Sequence, residues 1–129
     1  KIFNNGDFEH DLYRDFTYID DIVEGIVRLL NNPPVATKDS APYKVYNIGN
    51  NTPIKLMTFI ETLEKALSKA LGREVVFEKI FEPMKPGDVP ATYASTDLLE
   101  KAVGFKPKTS IEEGLQKFAD WYVEYYKVK

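Results

Sequence analysis

Arg14-Asp15-Phe16-Thr17-Tyr18-Ile19-Asp20-Asp21-Ile22 is the stretch whose reading decides the fold. Before it, Leu12 to Phe16 has the character of a short extended piece. After Asp20 the period changes: Ile22, Val23, Ile26, Val27, Leu29 and Leu30 recur as a wide helical face. The stretch therefore predicts a strand running into a helix, with Asp20 as cap and Asn31-Asn32-Pro33-Pro34 as the stop. Negative charge is favoured at a helix N-terminus, so Asp20 and Asp21 read as helix-start residues rather than as a catalytic or metal-binding pair. Arg14 is then a cation fixed at a strand end. Its planar fork of donors suits phosphate oxygens, and the competing reading is an ion pair with Asp15, Asp20 or Asp21.

Working outward, Lys1 to Phe3 reads as extended, and Asn4-Asn5-Gly6-Asp7 as a turn, with His10 in the loop that follows. Val35 to Pro42 is a polar loop, and Tyr43 to Ile48 reads as a buried strand ending at Gly49-Asn50-Asn51. Leu56, Phe59, Ile60, Leu63, Leu67 and Ala70 predict a second helix closed by Gly72. Glu74 to Ile80, with Val75 and Val76, predicts a strand. Glu82 to Thr92 holds three prolines and a glycine and must be a loop. A short helix over Leu98 to Val103 starts at Thr96 or Asp97. Ser110 and Glu113 have capping-box spacing ahead of a last helix carrying Ile111, Leu115, Phe118, Tyr122 and Tyr125 on one face. The expectation is one small mixed α/β domain over residues 1–129, with about four helices and four or five short strands and no internal linker.

Composition bounds the chemistry. The 129 residues are 43% hydrophobic and 29% charged, an ordinary globular balance, and carry a formal net charge of -3. Such a chain has no general field for nucleic acid or an anionic membrane, so an anion site must be local. The absence of cysteine removes disulfides, thiol nucleophiles and thiolate metal sites, and fits a reducing cytosol. One histidine, His10, cannot build a multi-histidine metal centre. No apolar run approaches the roughly 20 residues of a membrane span. The first residue is not methionine and stands inside a strand-like segment, which points to an engineered or proteolytic boundary.

The second informative stretch is Pro83-Met84-Lys85-Pro86-Gly87-Asp88-Val89-Pro90. Prolines stiffen it, glycine permits close backbone approach, and a cation and a carboxylate end up on one short turn. Together with Tyr46-Asn47-Ile48-Gly49, the two stretches resemble the signatures of the extended short-chain dehydrogenase/reductase nucleotide-sugar epimerases, closest to the UDP-glucuronate 4-epimerase group. The resemblance runs from Lys1 to about Tyr122 and corresponds to the last third of such an enzyme. It implies the C-terminal, UDP-sugar-binding part of a Rossmann-type epimerase used in polysaccharide biosynthesis in the cytoplasm. NAD would be held by an N-terminal Rossmann domain that this chain does not contain. Consistent with that, the sequence shows neither the glycine-rich dinucleotide fingerprint nor a Tyr-x-x-x-Lys pair of the catalytic kind.

The resemblance also implies residue roles. Arg14 and Lys85 would hold the diphosphate, and Asp88 would accept from a ribose hydroxyl or orient an arginine. Lysine at position 85 departs from the arginine or glutamine usual there and offers a point charge instead of a fork. Lys1 and Phe3 belong to a segment whose backbone would meet the uracil edge, and Phe16 would pack near the ribose. No catalytic, cofactor-binding or metal-binding residue is expected in this chain, and taken alone it is expected to be inactive. The upstream Rossmann half is the implied partner, and its absence should expose the helix after Asp20 and a strand edge near Val45, favouring self-association. The same portion of a dehydratase, decarboxylase or reductase, or a non-catalytic binding module, would carry a similar pattern.

Overall fold

The computed structural model describes residues 1–4, 6 and 11–129, so the expectation for His10, and for most of the loop around it, lies outside the described residues. Element order is β1 (Tyr13–Arg14), α1 (Ile19–Leu30), β2 (Ile54–Lys55), α2 (Leu56–Leu71), α3 (Asp97–Val103) and α4 (Ile111–Tyr126). The four helices match the sequence reading closely. Gly72 and Gly104 close α2 and α3 in the left-handed conformation, at φ 64° and 61°, where glycine escapes the Cβ penalty. At the start of α4 the Ser110 hydroxyl accepts from the Glu113 amide at 3.2 Å, the expected cap.

Strands are fewer and shorter than expected. Among the described residues there are only β1 and β2, paired antiparallel with Tyr13 opposite Lys55 and Arg14 opposite Ile54, and two isolated parallel bridges, Ile2 with Phe81 and Tyr13 with Ala91. Residues 43–48 form no strand, and Tyr43 and Val45 are exposed instead of buried. An extended segment becomes a strand only when a neighbour accepts and donates along its edge, and none of the described residues does so here. Residues 74–80 meet a neighbouring segment only at the Ile80 carbonyl, which accepts from the Ile2 amide, too little for a ladder. The start of α1 also differs: its N-cap is Tyr18, which makes no side-chain capping bond, and Asp20 lies inside the first turn.

The chain divides into two compact units, one of residues 1–14, 53–92 and 110–129, the other of residues 15–52 and 93–109. In the first, α2 packs on α4 through Ala66, Leu115 and Ala119, with Phe59, Leu63, Leu67, Ala70 and Ile111 around them. Alanine at the crossing brings the two backbones near enough for Gln116 to donate to the Ala66 carbonyl at 3.4 Å. Glu64 on α2 ties down residues 74–80 by accepting from the Phe77 amide at 2.7 Å and from Lys79 Nζ at 2.5 Å. Asp11, 4% exposed, accepts from the Leu12 amide at 2.8 Å and from the Met57 amide at 3.0 Å, so it caps α2 from a distant part of the sequence.

The second unit joins α1 and α3. Gly25 is buried, and a Cβ there would meet Ile48 at 3.3 Å and Phe105 at 3.5 Å. The Arg28 guanidinium lies 5.0 Å from the centre of the Phe105 ring. Leu99 and Thr96 are fully buried, and the Thr96 hydroxyl finds no hydrogen-bond partner. Across the unit, Ile19, Val23, Ile26, Val27 and Leu30 leave an apolar face of α1 open to solvent. That is the breadth the sequence pattern indicated, beyond what one small core uses.

The Lys79 hydrogen bond, followed by the Phe77 amide, holds the Glu64 carboxyl below the ordinary glutamate range. A folded-state pKa below the unfolded one adds stability that is complete above the unfolded value and disappears as pH falls through the folded value. We expect Glu64→Gln to lower stability at neutral pH and to flatten the acid limb of the stability profile, as followed by urea unfolding from pH 7 to pH 3. An acid limb as steep as in the parent chain would assign that limb to other carboxylates.

Candidate functional site

The geometry around Arg14 begins with β1, whose backbone is engaged on both edges. On one side it pairs with β2; on the other, the Tyr13 amide donates to the Pro90 carbonyl at 2.8 Å and the Thr92 amide to the Tyr13 carbonyl at 3.2 Å. A strand held from two sides has little freedom, so the half-buried Arg14 is carried on a fixed support. Its Nη1 donates to the Tyr13 carbonyl at 2.8 Å and, at 3.5 Å, to that of Pro90. Among the described residues Arg14 makes no ion pair, and two of the three acidic neighbours that could have been its partners, Asp15 and Asp21, accept from backbone amides instead. Carbonyl oxygens orient a guanidinium without neutralising it, which leaves its charge available to an anion.

Residues 85–88 form the expected turn. The Asp88 amide donates to the Lys85 carbonyl at 3.1 Å and Gly87 has φ 92°, as the third position of a type II turn requires, with Pro86 at the second. Asp88 Oδ2 accepts from the Lys85 amide at 3.3 Å, so one carboxylate oxygen stiffens the turn itself. The Lys85 ammonium sits 4.9 Å from the centre of the Phe3 ring. Phe3 thus meets the site through its ring, a contact the sequence reading did not foresee. Lys1 forms an ion pair with Glu82 at the start of the same loop.

The first unit thus collects Lys1, Phe3, Arg14, Lys85 and Asp88, with residues 82–92 touching or containing each of them. Phe16 is half-buried and belongs to the second unit. Tyr125 and Lys129 have the four-residue spacing of a Tyr-x-x-x-Lys pair, but not its geometry. Helix α4 ends at Tyr126, Lys127 turns left-handed at φ 52°, and Lys129 lies off the helix, its carbonyl accepting from Arg73. Tyr125 instead stacks on Trp121, 5.2 Å between ring centres.

Four residues whose part sequence reasoning missed prove central to the local structure. In the second unit Asp15 accepts from the Asn51 amide at 3.0 Å and from the Thr52 amide at 3.4 Å, while the Thr17 hydroxyl accepts from the Asn50 amide at 3.1 Å. Gly49 lies under the same carboxylate: a Cβ there would come within 2.7 Å of Asp15 Oδ2. The Arg-Asp-Phe-Thr stretch and the end of Tyr-Asn-Ile-Gly are therefore one assembly, joined by side-chain acceptors on backbone donors. Asp21, also buried, accepts from the amides of Lys108 and Thr109 at 3.1 and 2.8 Å. The only hint in the sequence was the pairing of Asp and Thr with a glycine-asparagine segment, which local patterns cannot connect.

Residues 3–118 match the family described as GDP-mannose 4,6 dehydratase. Protein CapI of Staphylococcus aureus is 46% identical over 137 residues, spanning 98% of this chain and 38% of that protein. A probable UDP-glucuronate 4-epimerase of Rhizobium meliloti (strain 1021) is 48% identical over 126 residues, spanning 88% of this chain and 35% of that one. The crystal structure of UDP-glucuronic acid 4-epimerase from Bacillus cereus in complex with UDP-glucuronic acid and NAD superposes with a TM-score of 0.71 at 29% identity, over 97% of this chain and 35% of that chain. The mixed α/β arrangement is thus shared with a third of that fold. The chain spans 35% to 38% of the length of the curated relatives it matches.

Gly49→Ala should destabilise the chain by about 1–3 kcal/mol, because the added methyl must displace the Asp15 carboxylate from two backbone amides. Denaturant unfolding measures it. A variant as stable as the parent would show that the Asp15 assembly yields without cost.

Proposed function

The chain belongs to the GDP-mannose 4,6 dehydratase family, and from that premise we propose that it is the C-terminal, substrate-binding part of an NAD-dependent nucleotide-sugar 4-epimerase acting on UDP-glucuronate or a related UDP-sugar. The observation that carries the reading is Arg14, fixed on a strand held from both edges and bound only to carbonyl oxygens among the described residues. The turn of residues 85–88 supports it by presenting a second cation and a carboxylate on the loop that also holds Arg14. In this reading Arg14 and Lys85 bind the diphosphate, Asp88 uses its remaining oxygen on a ribose hydroxyl, and the backbone near Lys1 and Phe3 meets the uracil.

The residues of this chain bind and orient; they are not asked to move hydride or protons at the sugar. NAD, held by an upstream Rossmann domain, supplies the acceptor and donor of hydride at C4. A clamp on the diphosphate lets the nucleotide stay bound while the sugar presents its other face, a binding task separate from the redox step. The exposed apolar face of α1 is assigned to contact with the upstream domain, and in the isolated chain to self-association. The setting is a cytoplasmic route to polysaccharide precursors. A second reading, a dehydratase on a nucleotide sugar, is favoured by the family's own description. The relative named a probable UDP-glucuronate 4-epimerase, at 48% identity, favours epimerisation. The products separate them, since a dehydratase releases a 4-keto-6-deoxy sugar and an epimerase a C4 isomer.

If the clamp is right, the chain binds UDP, and Arg14→Ala and Lys85→Ala each weaken it by about 10- to 100-fold, the worth of a charge-assisted hydrogen bond. Affinity should also fall with added salt. Titration calorimetry reads both, and unchanged UDP affinity in both variants would remove the clamp.

The isolated chain should give no C4 isomer from UDP-glucuronate with NAD added, because it carries no hydride-transfer machinery. Chromatography of the products decides this, and isomer above a heat-killed control would place catalytic groups inside these residues.

A further inference from the structure

The segment of residues 74–80 is an extended edge with a used side and an unused side. Burial alternates along it: Val75, Phe77 and Lys79 are half-buried while Glu74, Val76, Glu78 and Ile80 are exposed. Backbone direction alternates in the same way. The amides of the odd-numbered residues point at α2, Val75 donating to Ser68 Oγ at 2.9 Å and Phe77 to Glu64 at 2.7 Å. The even-numbered residues face the opposite edge, where the Ile2 amide donates to the Ile80 carbonyl at 2.7 Å and the Glu82 amide to the Ile2 carbonyl at 2.8 Å. These two bonds make the parallel bridge between Ile2 and Phe81. Beyond it the edge is empty: the amides of Val76, Glu78 and Ile80 have no partner among the described residues.

A cavity of about 440 Å³ lies along this edge, lined by Lys1, Ile2 and Ile60 and by residues 76–79. Val76 is 71% exposed beside it. We propose that the groove is the seat of a parallel β-strand formed by the polypeptide immediately ahead of Lys1. The inference rests on the reading above that the chain is the later part of a longer protein, as its 35% to 38% span of its relatives supports. Register and direction follow from the bridge already present. Because Ile2 and Phe81 run parallel, the residues before Lys1 pass residues 79 back to 74, and every second one exchanges bonds with an even-numbered residue. The first residue ahead of Lys1 accepts from Ile80 and donates to Glu78; the third accepts from Glu78 and donates to Val76. A row of unpaired groups beside a groove that includes Ile2, Ile60 and Val76 is what such a strand removes from water.

Amide exchange by NMR tests this on two chains, the 129-residue chain and one lengthened by the roughly ten residues that its own gene encodes ahead of Lys1. In the lengthened chain the amides of Val76, Glu78 and Ile80 should exchange at least about tenfold more slowly, while Val75 and Phe77, already bonded to α2, stay unchanged. Proline at the first and third residues ahead of Lys1 should reduce that slowing, since it removes the N–H groups that donate to the Glu78 and Val76 carbonyls and so weakens the pairing as a whole. Unchanged exchange at the three amides in the lengthened chain overturns the proposal. Slowing in the shorter chain that grows with its concentration does so too, because the edge would then take a second copy. UDP titration of the same samples keeps the two readings apart: protection without UDP binding leaves the strand standing and removes the nucleotide reading, and the converse removes the strand alone.

Discussion

Carboxylate oxygens on backbone N–H groups hold this structure together. With only two two-residue strands among the described residues, much of the backbone outside the helices has no ladder to satisfy it, and buried donors must be met some other way. In the first unit Asp11 meets the free amides at the start of α2, Glu64 the amide of Phe77, and Asp88 that of Lys85. In the second, Asp15 takes the amides of Asn51 and Thr52, and Asp21 those of Lys108 and Thr109. Each is a charge-assisted bond, stronger than its neutral counterpart and costly to leave unmade when the donor is buried.

This use of acidic residues has an electrostatic consequence. Asp15 and Asp21, acidic neighbours of Arg14 in sequence, are committed to backbone amides, and among the described residues Arg14 is oriented by carbonyl oxygens alone. Lys85 rests on an aromatic ring, which stabilises the ammonium without cancelling its charge. In an acidic chain of net charge -3, Arg14 and Lys85 thus lie on one unit without a carboxylate on either side-chain charge among the described residues. Local positive charge in a globally acidic protein can hold a small anion, the diphosphate in the function proposed above, without attracting polyanions in general.

The same structure is incomplete in its apolar burial. Two helices close one core well, where Ala66 and Ala119 permit close approach. The face of α1 carrying Val23, Ile26, Val27 and Leu30 and the loop bearing Val35, Tyr43 and Val45 stay open to water. Surface of that kind is normally covered by further polypeptide, and it lies on the unit containing residues 15–52, where relatives about three times longer have more chain to supply.

Helix positions were legible from sequence alone because period, caps and stops are local: Ser110 with Glu113, Gly72 and Gly104 act within a few residues of where they stand. The turn of residues 85–88 was legible for the same reason, proline and glycine fixing its dihedral angles. Arg14 and Lys85 stood out through their surroundings in two recognisable stretches. Strands were the weak point, since residues 43–48 and 74–80 have strand-like composition but a strand exists only where a second segment pairs with it. Division into two units left no trace either, because the chain passes between them at 14/15, 52/53, 92/93 and 109/110, inside motifs and loops instead of at a linker. Sequence by itself determined the helices, the tight turn and the identity of the cations. Tertiary structure alone decided that Asp11, Asp15 and Asp21 serve backbone amides far along the chain, that Gly49 must be bare beneath Asp15, and that Phe3 supports Lys85, because each depends on two segments meeting that no local pattern connects.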